Sequence, residues 1–181
     1  MIATFSLIYF TDIIKVNPVF IGVMFFVAKL WDAFNDLFMG MIVDNTRSRW
    51  GKFIPWLVIG TLVNSIVFVV LFTDFHLDGV GLSVFATAAY ILWGMTYTNM
   101  DIPYCSIIPN LTSNPEEREK VSVLPRIFAS IGQSLVIAGF GVQIIEALSG
   151  GTTNQAGYHR FAIIIAIVFI LTIGITVINL P

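Results

Sequence analysis

Charge is scarce in this sequence. Of 181 residues, 9 are Lys or Arg and 11 are Asp or Glu, so ionic side chains make up 11% of the chain; a soluble domain carries about 25%. So few charges cannot coat a water-soluble globule of 20.1 kDa. Cysteine is scarcer still. Cys105 stands alone, which excludes an internal disulfide and any four-thiolate metal centre. The two histidines, His76 and His159, are far apart and neither has a neighbouring second ligand. There is no basic excess: a net charge of −2 and a pI near 5.5 argue against a nucleic-acid partner. No Ser-His-Asp order, HExxH or phosphate-cradling glycine loop occurs, and the Gly150-Gly151 stretch fits no P-loop. Neither enzyme chemistry nor a cofactor is expected.

What remains is apolar. Hydrophobic residues are 57% of the chain, with 16 Phe, and the mean hydropathy is +0.89. A membrane crossing needs roughly 20 apolar residues. Against that length the sequence predicts helices over about 18–43, 54–73, 80–109, 121–148 and 159–180, preceded by half a helix over about 1–14. Helices are expected because backbone polar groups in lipid need internal partners. The breaks suit this reading. Asn17-Pro18 and Pro55 open helices, Leu77-Asp78-Gly79 is a turn, and Asn114-Pro115-Glu116-Glu117 stops one helix and starts another. The fold class is therefore an all-α polytopic membrane bundle. Arg47, Arg49, Lys52, Arg118 and Lys120 fall on one side, against Lys15 and Arg160 on the other. By the positive-inside rule the first group is cytoplasmic.

Polar residues inside those runs are the candidates for function, because a charge in the bilayer is costly and marks a site by default. Asp32, Asn35 and Asp36 follow one another at i, i+3 and i+4, hence on one helix face. Two carboxylates and an amide so close repel one another unless something positive sits between them, such as Na⁺, Li⁺ or a proton. The structural alternative is a polar network closed by Lys29 or by another helix. Lys29, three residues before Asp32, is placed either to pair with it or to snorkel.

Further along, Tyr97, Thr98 and Asp101 share a face just before Pro103. They are suited to gripping sugar hydroxyls, to closing an ion cage or, for the hydroxyls, to helix packing. Arg126, one turn inside the next crossing, needs an anion or polar ligand. Asp101 is its expected partner, and snorkelling is its alternative role. In the loop DNTRSRWGKF, Asp44, Arg47, Arg49 and Lys52 are candidate gating residues that exchange salt bridges between helix ends. Trp93 is open to two readings, a surface beneath a ligand or lipid-facing filler.

Two stretches then become specific. AKLWDAFNDLFMGMIVDNTRSRWGKFIPW resembles the second helix and following loop of the glycoside-pentoside-hexuronide:cation symporter family, within the major facilitator superfamily. YILWGMTYTNMDIPYCSIIPNLT followed by EREKVSVLPRIFAS resembles its fourth and fifth helices. The resemblance covers essentially the whole chain. It implies a partial amino-terminal half of a twelve-helix transporter, from mid-helix one to helix six, in the bacterial inner membrane.

It further implies coupling-cation binding by Asp32, Asn35, Asp36 and Thr98, most simply of Na⁺, with H⁺ or Li⁺ as alternatives. Asp101 and Arg126, with Tyr97 beside them, would bind a galactoside or related glycoside. The implied partners are this small sugar, the monovalent cation, the lipid bilayer and a missing carboxy-terminal half. Two departures stand out: Leu37 replaces a proline that the family often has after the acid pair, and Cys105 replaces a tryptophan that serves as a sugar platform. The competing readings are a truncated, non-transporting remnant and a small membrane scaffold or channel subunit.

Overall fold

A computed structural model describes residues 2–77, 79–107, 114–151 and 154–179, the side chains at 115, 118, 138 and 139 excepted. All regular structure among them is helical. α1 (Ile2–Ile8) continues into a π-helical turn, Tyr9–Ile13; α2 (Pro18–Asn45), α3 (Ile54–Leu71) and α4 (Gly79–Ile107) follow. α5 (Pro115–Leu135) runs through a second π turn, Val136–Phe140, into α6 (Gly141–Ser149), and α7 (Gln155–Asn179) completes the bundle.

Local chemistry explains the boundaries. Pro18 occupies the first turn of α2, and the Asn17 side chain accepts from the Val19 N–H at 2.9 Å. α5 uses the same device: Asn114 accepts from the Glu116 N–H at 3.1 Å, with Pro115 in the first turn. Glu116 and Glu117 there complement the helix dipole. The fifth helix thus starts where the Asn114-Pro115-Glu116-Glu117 signal places it, ahead of the apolar run that begins near 121. α2 runs unbroken through Leu37.

Four helices among the described residues are long and apolar enough to cross a membrane: α2, α3, α4 and α7. The run expected over 121–148 is helical through α5, the π turn and α6; α5 carries charges in its first turns and α6 has 9 residues, so neither meets that criterion alone. The outward faces are apolar, as lipid contact requires. Phe26, Phe34 and Leu37 on α2 and Ile178 on α7 are all exposed.

α3 is the central support. It packs along α4 and α7, while α2 lies against α4 and α6 against α7. Gly60 brings α3 close to α4: a Cβ there would stand 3.1 Å from the backbone of Asn99 and Met100. Buried Asn64 then ties the two helices, donating to Thr96 Oγ1 at 3.0 Å and to the Trp93 carbonyl at 3.2 Å. Both contacts fix the stretch of α4 that bears Tyr97, Thr98 and Asp101.

One end of the bundle is closed by aromatic packing. Tyr9 is fully buried against Phe72 and Tyr158, with ring centroids 4.9 and 5.2 Å away, and Gln155 Nε2 donates to its hydroxyl at 3.1 Å. His159 and Thr73 lie 3.2 Å apart at this end, and Arg160 caps the last turn of α6 through the Leu148 carbonyl at 2.7 Å. Lys15 and Arg160 thus belong to one end of the helices, and the Arg47–Lys52 loop to the other.

Candidate functional site

The polar face of α2 meets α4. Thr98 Oγ1 lies 3.0 Å from Asp36 Oδ1 and 3.2 Å from the Gly94 carbonyl, so its single proton serves one acceptor at a time. Thr98 is buried and Asp36 exposed, which sets the carboxylate at the edge of the α2–α4 seam. Asp32 is half-buried, and its Oδ2 accepts from Lys29 Nζ at 3.0 Å. The other carboxylate oxygen is seated against α4: a Cβ on Gly94 would lie 2.7 Å from Asp32 Oδ1.

Between the two acids on the same face is Asn35. Its Nδ2 is buried and makes no hydrogen bond. Amide nitrogen and oxygen are assigned from the hydrogen-bond network. With no such partner, a flipped Asn35 that puts its oxygen in this position loses nothing. The donor set is then two carboxylates, an amide oxygen and a hydroxyl, which is hard-cation chemistry.

One turn further along α4, the Tyr97 hydroxyl donates to Asp101 Oδ1 at 3.3 Å. Below Tyr97 stand Trp93 and Tyr90, with successive ring centroids 5.7 and 5.8 Å apart. These three rings form one wall of a cavity of about 670 Å³, and Ala129, Gly132 and Gln133 of α5 line it opposite. Lys29 reaches the same space from α2.

Arg126 is not where the sequence reading put it. Among the described residues it forms no ion pair with Asp101, and it is exposed. The reason is the looseness of α5, none of whose described side chains is buried. Arg126 lies one turn before Ala129, as Asp101 lies one turn after Tyr97. On antiparallel helices both are therefore displaced from the cavity lining toward the same end.

The Asp44–Lys52 loop does form an ion pair, Lys52 Nζ to Asp44 Oδ1 at 2.6 Å, with Lys52 also 5.2 Å above the Phe53 ring centre. Arg47 and Arg49 are exposed and take part in none of the ion pairs among the described residues. Trp56 Nε1 donates to Thr46 Oγ1 at 2.9 Å and closes the loop onto α3.

Two residues that position the site escape a reading of motifs. Asn64 is legible as the lone amide in the apolar run TLVNSIVF. Gly94 is not, because its contribution is the missing Cβ. Gly94→Ala is expected to push the Asp32 carboxylate out of its seat, with little effect on helicity since alanine favours helix. If the α2 acids hold a cation, its affinity measured by direct titration should fall several-fold while circular dichroism stays unchanged. Unaltered affinity would mean that the Asp32 side chain yields without consequence.

The sequence pattern of the MFS/sugar transport protein family matches residues 1–180. Among curated proteins, the isoprimeverose transporter of Lactiplantibacillus pentosus is 30% identical over 93% of this chain and 35% of its own length. The inner membrane symporter YicJ of Escherichia coli K12 is 32% identical over 91% of the chain and 35% of its own length. The glucuronide carrier protein homolog of the same organism is 33% identical over 91% and 36% respectively. The chain thus spans about a third of the length of these relatives. Four apolar spans and this kinship make it a multi-pass inner-membrane protein. The chain belongs to the MFS/sugar transport protein family.

Proposed function

We propose that a polypeptide carrying this chain couples the entry of a monovalent cation, Na⁺ in the first place and Li⁺ or H⁺ as alternatives, to symport of a galactoside-like glycoside. Asp32, Asn35, Asp36 and Thr98 take the cation. Asp101, Arg126 and Tyr97 take the sugar. The observation that carries this reading is the 3.0 Å contact between Thr98 and Asp36. It joins the acid pair on α2 to the helix that also bears Asp101.

The coupling is electrostatic. Without a cation, Asp32 and Asp36 present two negative charges one helical turn apart, offset in part by Lys29. A cation between them removes that repulsion and draws Thr98, and α4 with it, toward α2. Tyr97 and Asp101 flank Thr98 on α4, so the sugar surface is set at the same moment. Alternating access in such carriers requires two repeats moving about a midplane site. In this reading the chain supplies one repeat, a carboxy-terminal half supplies the other, and the Asp44, Arg47, Arg49 and Lys52 loop re-pairs as they move.

Linkage makes the reading testable. If Na⁺ raises sugar affinity by some factor, sugar must raise Na⁺ affinity by the same factor, about 5–150-fold for a typical coupling of roughly 1–3 kcal/mol. The measurement is a pair of titrations, galactoside at fixed Na⁺ and Na⁺ at fixed galactoside. Equal factors above one support symport. A factor of one in both directions rejects it in favour of a second reading, a polar network closed by Lys29, for which the Lys29–Asp32 pair speaks.

A further inference from the structure

Lys29 is the one basic residue of α2, and it sits between two features already described. Its Nζ is 3.0 Å from Asp32 Oδ2, and its side chain lines the aromatic cavity. The partners differ in freedom. The other oxygen of Asp32 rests in the space left by the missing Cβ of Gly94, and its side chain is 24% exposed, against 74% for Lys29. A short, partly buried carboxylate faces a long, flexible and exposed ammonium arm. The arm, and not the acid, is the part that can move.

Charge counting gives this consequence. Asp32 and Asp36 contribute two negative charges and Lys29 one positive, and Asn35 and Thr98 are neutral. The site therefore carries one net negative charge, which a single monovalent cation neutralises. We propose that Lys29 is a resident tethered counter-ion of the α2 site: it limits the site to one monovalent cation, disfavours divalent ones, and must swing away from Asp32 toward the cavity as the cation enters. This rests on the cation reading above and adds a competitor to it. It also gives the cavity a part in ion binding, because the displaced ammonium moves into the space lined by Tyr97 and Gln133. A sugar in that space then meets an ammonium released from Asp32 only when the cation is bound.

The experiment is equilibrium binding of Na⁺ to the full chain in lipid nanodiscs, with Ca²⁺ as competitor, for the parent, K29Q, K29M and K29R. Ca²⁺ suits the test because it too takes oxygen ligands and carries twice the charge. Removing the ammonium should tighten Na⁺ binding roughly five- to tenfold in K29Q and K29M, a modest factor because Lys29 is largely exposed and screened. Ca²⁺ should displace Na⁺ in those two variants and not in the parent. K29R should behave as the parent. Helicity by circular dichroism, equal in all four, shows that each is folded, and K29M keeps the apolar stem should K29Q lose it. A parent that binds Na⁺ while K29Q and K29M bind it no more tightly and stay blind to Ca²⁺ overturns this proposal and leaves the cation site standing. A parent that binds no Na⁺ overturns both.

Discussion

Replacing Asp36 by Cys is expected to abolish the Na⁺ stimulation of glycoside binding while leaving residual sugar binding. In the parent, the α2 site has one net negative charge, the excess over the Lys29–Asp32 pair. A neutral side chain at 36 removes that excess and leaves a self-neutralised pair with nothing to attract a cation. It also removes the acceptor of the Thr98 hydroxyl 3.0 Å away, which then turns to the Gly94 carbonyl at 3.2 Å. α4 loses its polar tie to α2 but keeps its packing on α3 through Gly60 and Asn64. The sugar groups stay in place for that reason. The expected result is a fall of the Na⁺-induced gain in sugar affinity from about 5–150-fold to one. Full stimulation in Asp36→Cys would make the α2 acids a structural network.

Some of this arrangement is legible in the sequence, and the physics says which part. Apolar runs interrupted by Pro and Gly read as helices because a bilayer forces every crossing to hydrogen-bond within itself. The spacing of Asp32, Asn35 and Asp36 fixes a common face because the helical period is local. The start of α5 is read correctly from Asn114-Pro115-Glu116-Glu117, while hydropathy alone begins the crossing at 121 because it counts Glu116 to Lys120 as loop. The π turn at Val136–Phe140 has no Pro or charge to announce it.

Contacts across helices are a different matter. Asp36 and Thr98 are 62 residues apart, and only a likeness to known carriers brings them together on paper. Gly94 gives no signal until the neighbouring carboxylate is placed against it. Pairing Asp101 with Arg126 by opposite sign alone fails, because charge says that a partner is needed and not which one.

That failure sharpens the last expectation. Asp101→Cys and Arg126→Cys should each remove sugar binding and leave Na⁺ binding to the α2 site, because neither side chain contacts Asp32, Asn35 or Asp36 through any hydrogen bond or ion pair among the described residues. Each charged group that hydrogen-bonds a hydroxyl contributes about 1.5–3 kcal/mol, so the loss should be roughly 10- to 150-fold in sugar affinity. The geometry separates a shared ligand from a salt bridge. If Asp101 and Arg126 were ion partners, the exchanged pair Asp101→Arg with Arg126→Asp would restore the contact, and the single changes would destabilise the fold. With no ion pair between the two among the described residues and Tyr97 holding Asp101 at 3.3 Å, the exchanged pair should stay unable to bind sugar, and the single variants should unfold at the parent's temperature. The measurements are sugar titration and thermal unfolding of all four proteins. Restored binding in the exchanged pair would make the two residues ion partners and place the sugar elsewhere. Binding that survives in Arg126→Cys alone would leave Asp101 and Tyr97 as the sugar's only polar grip.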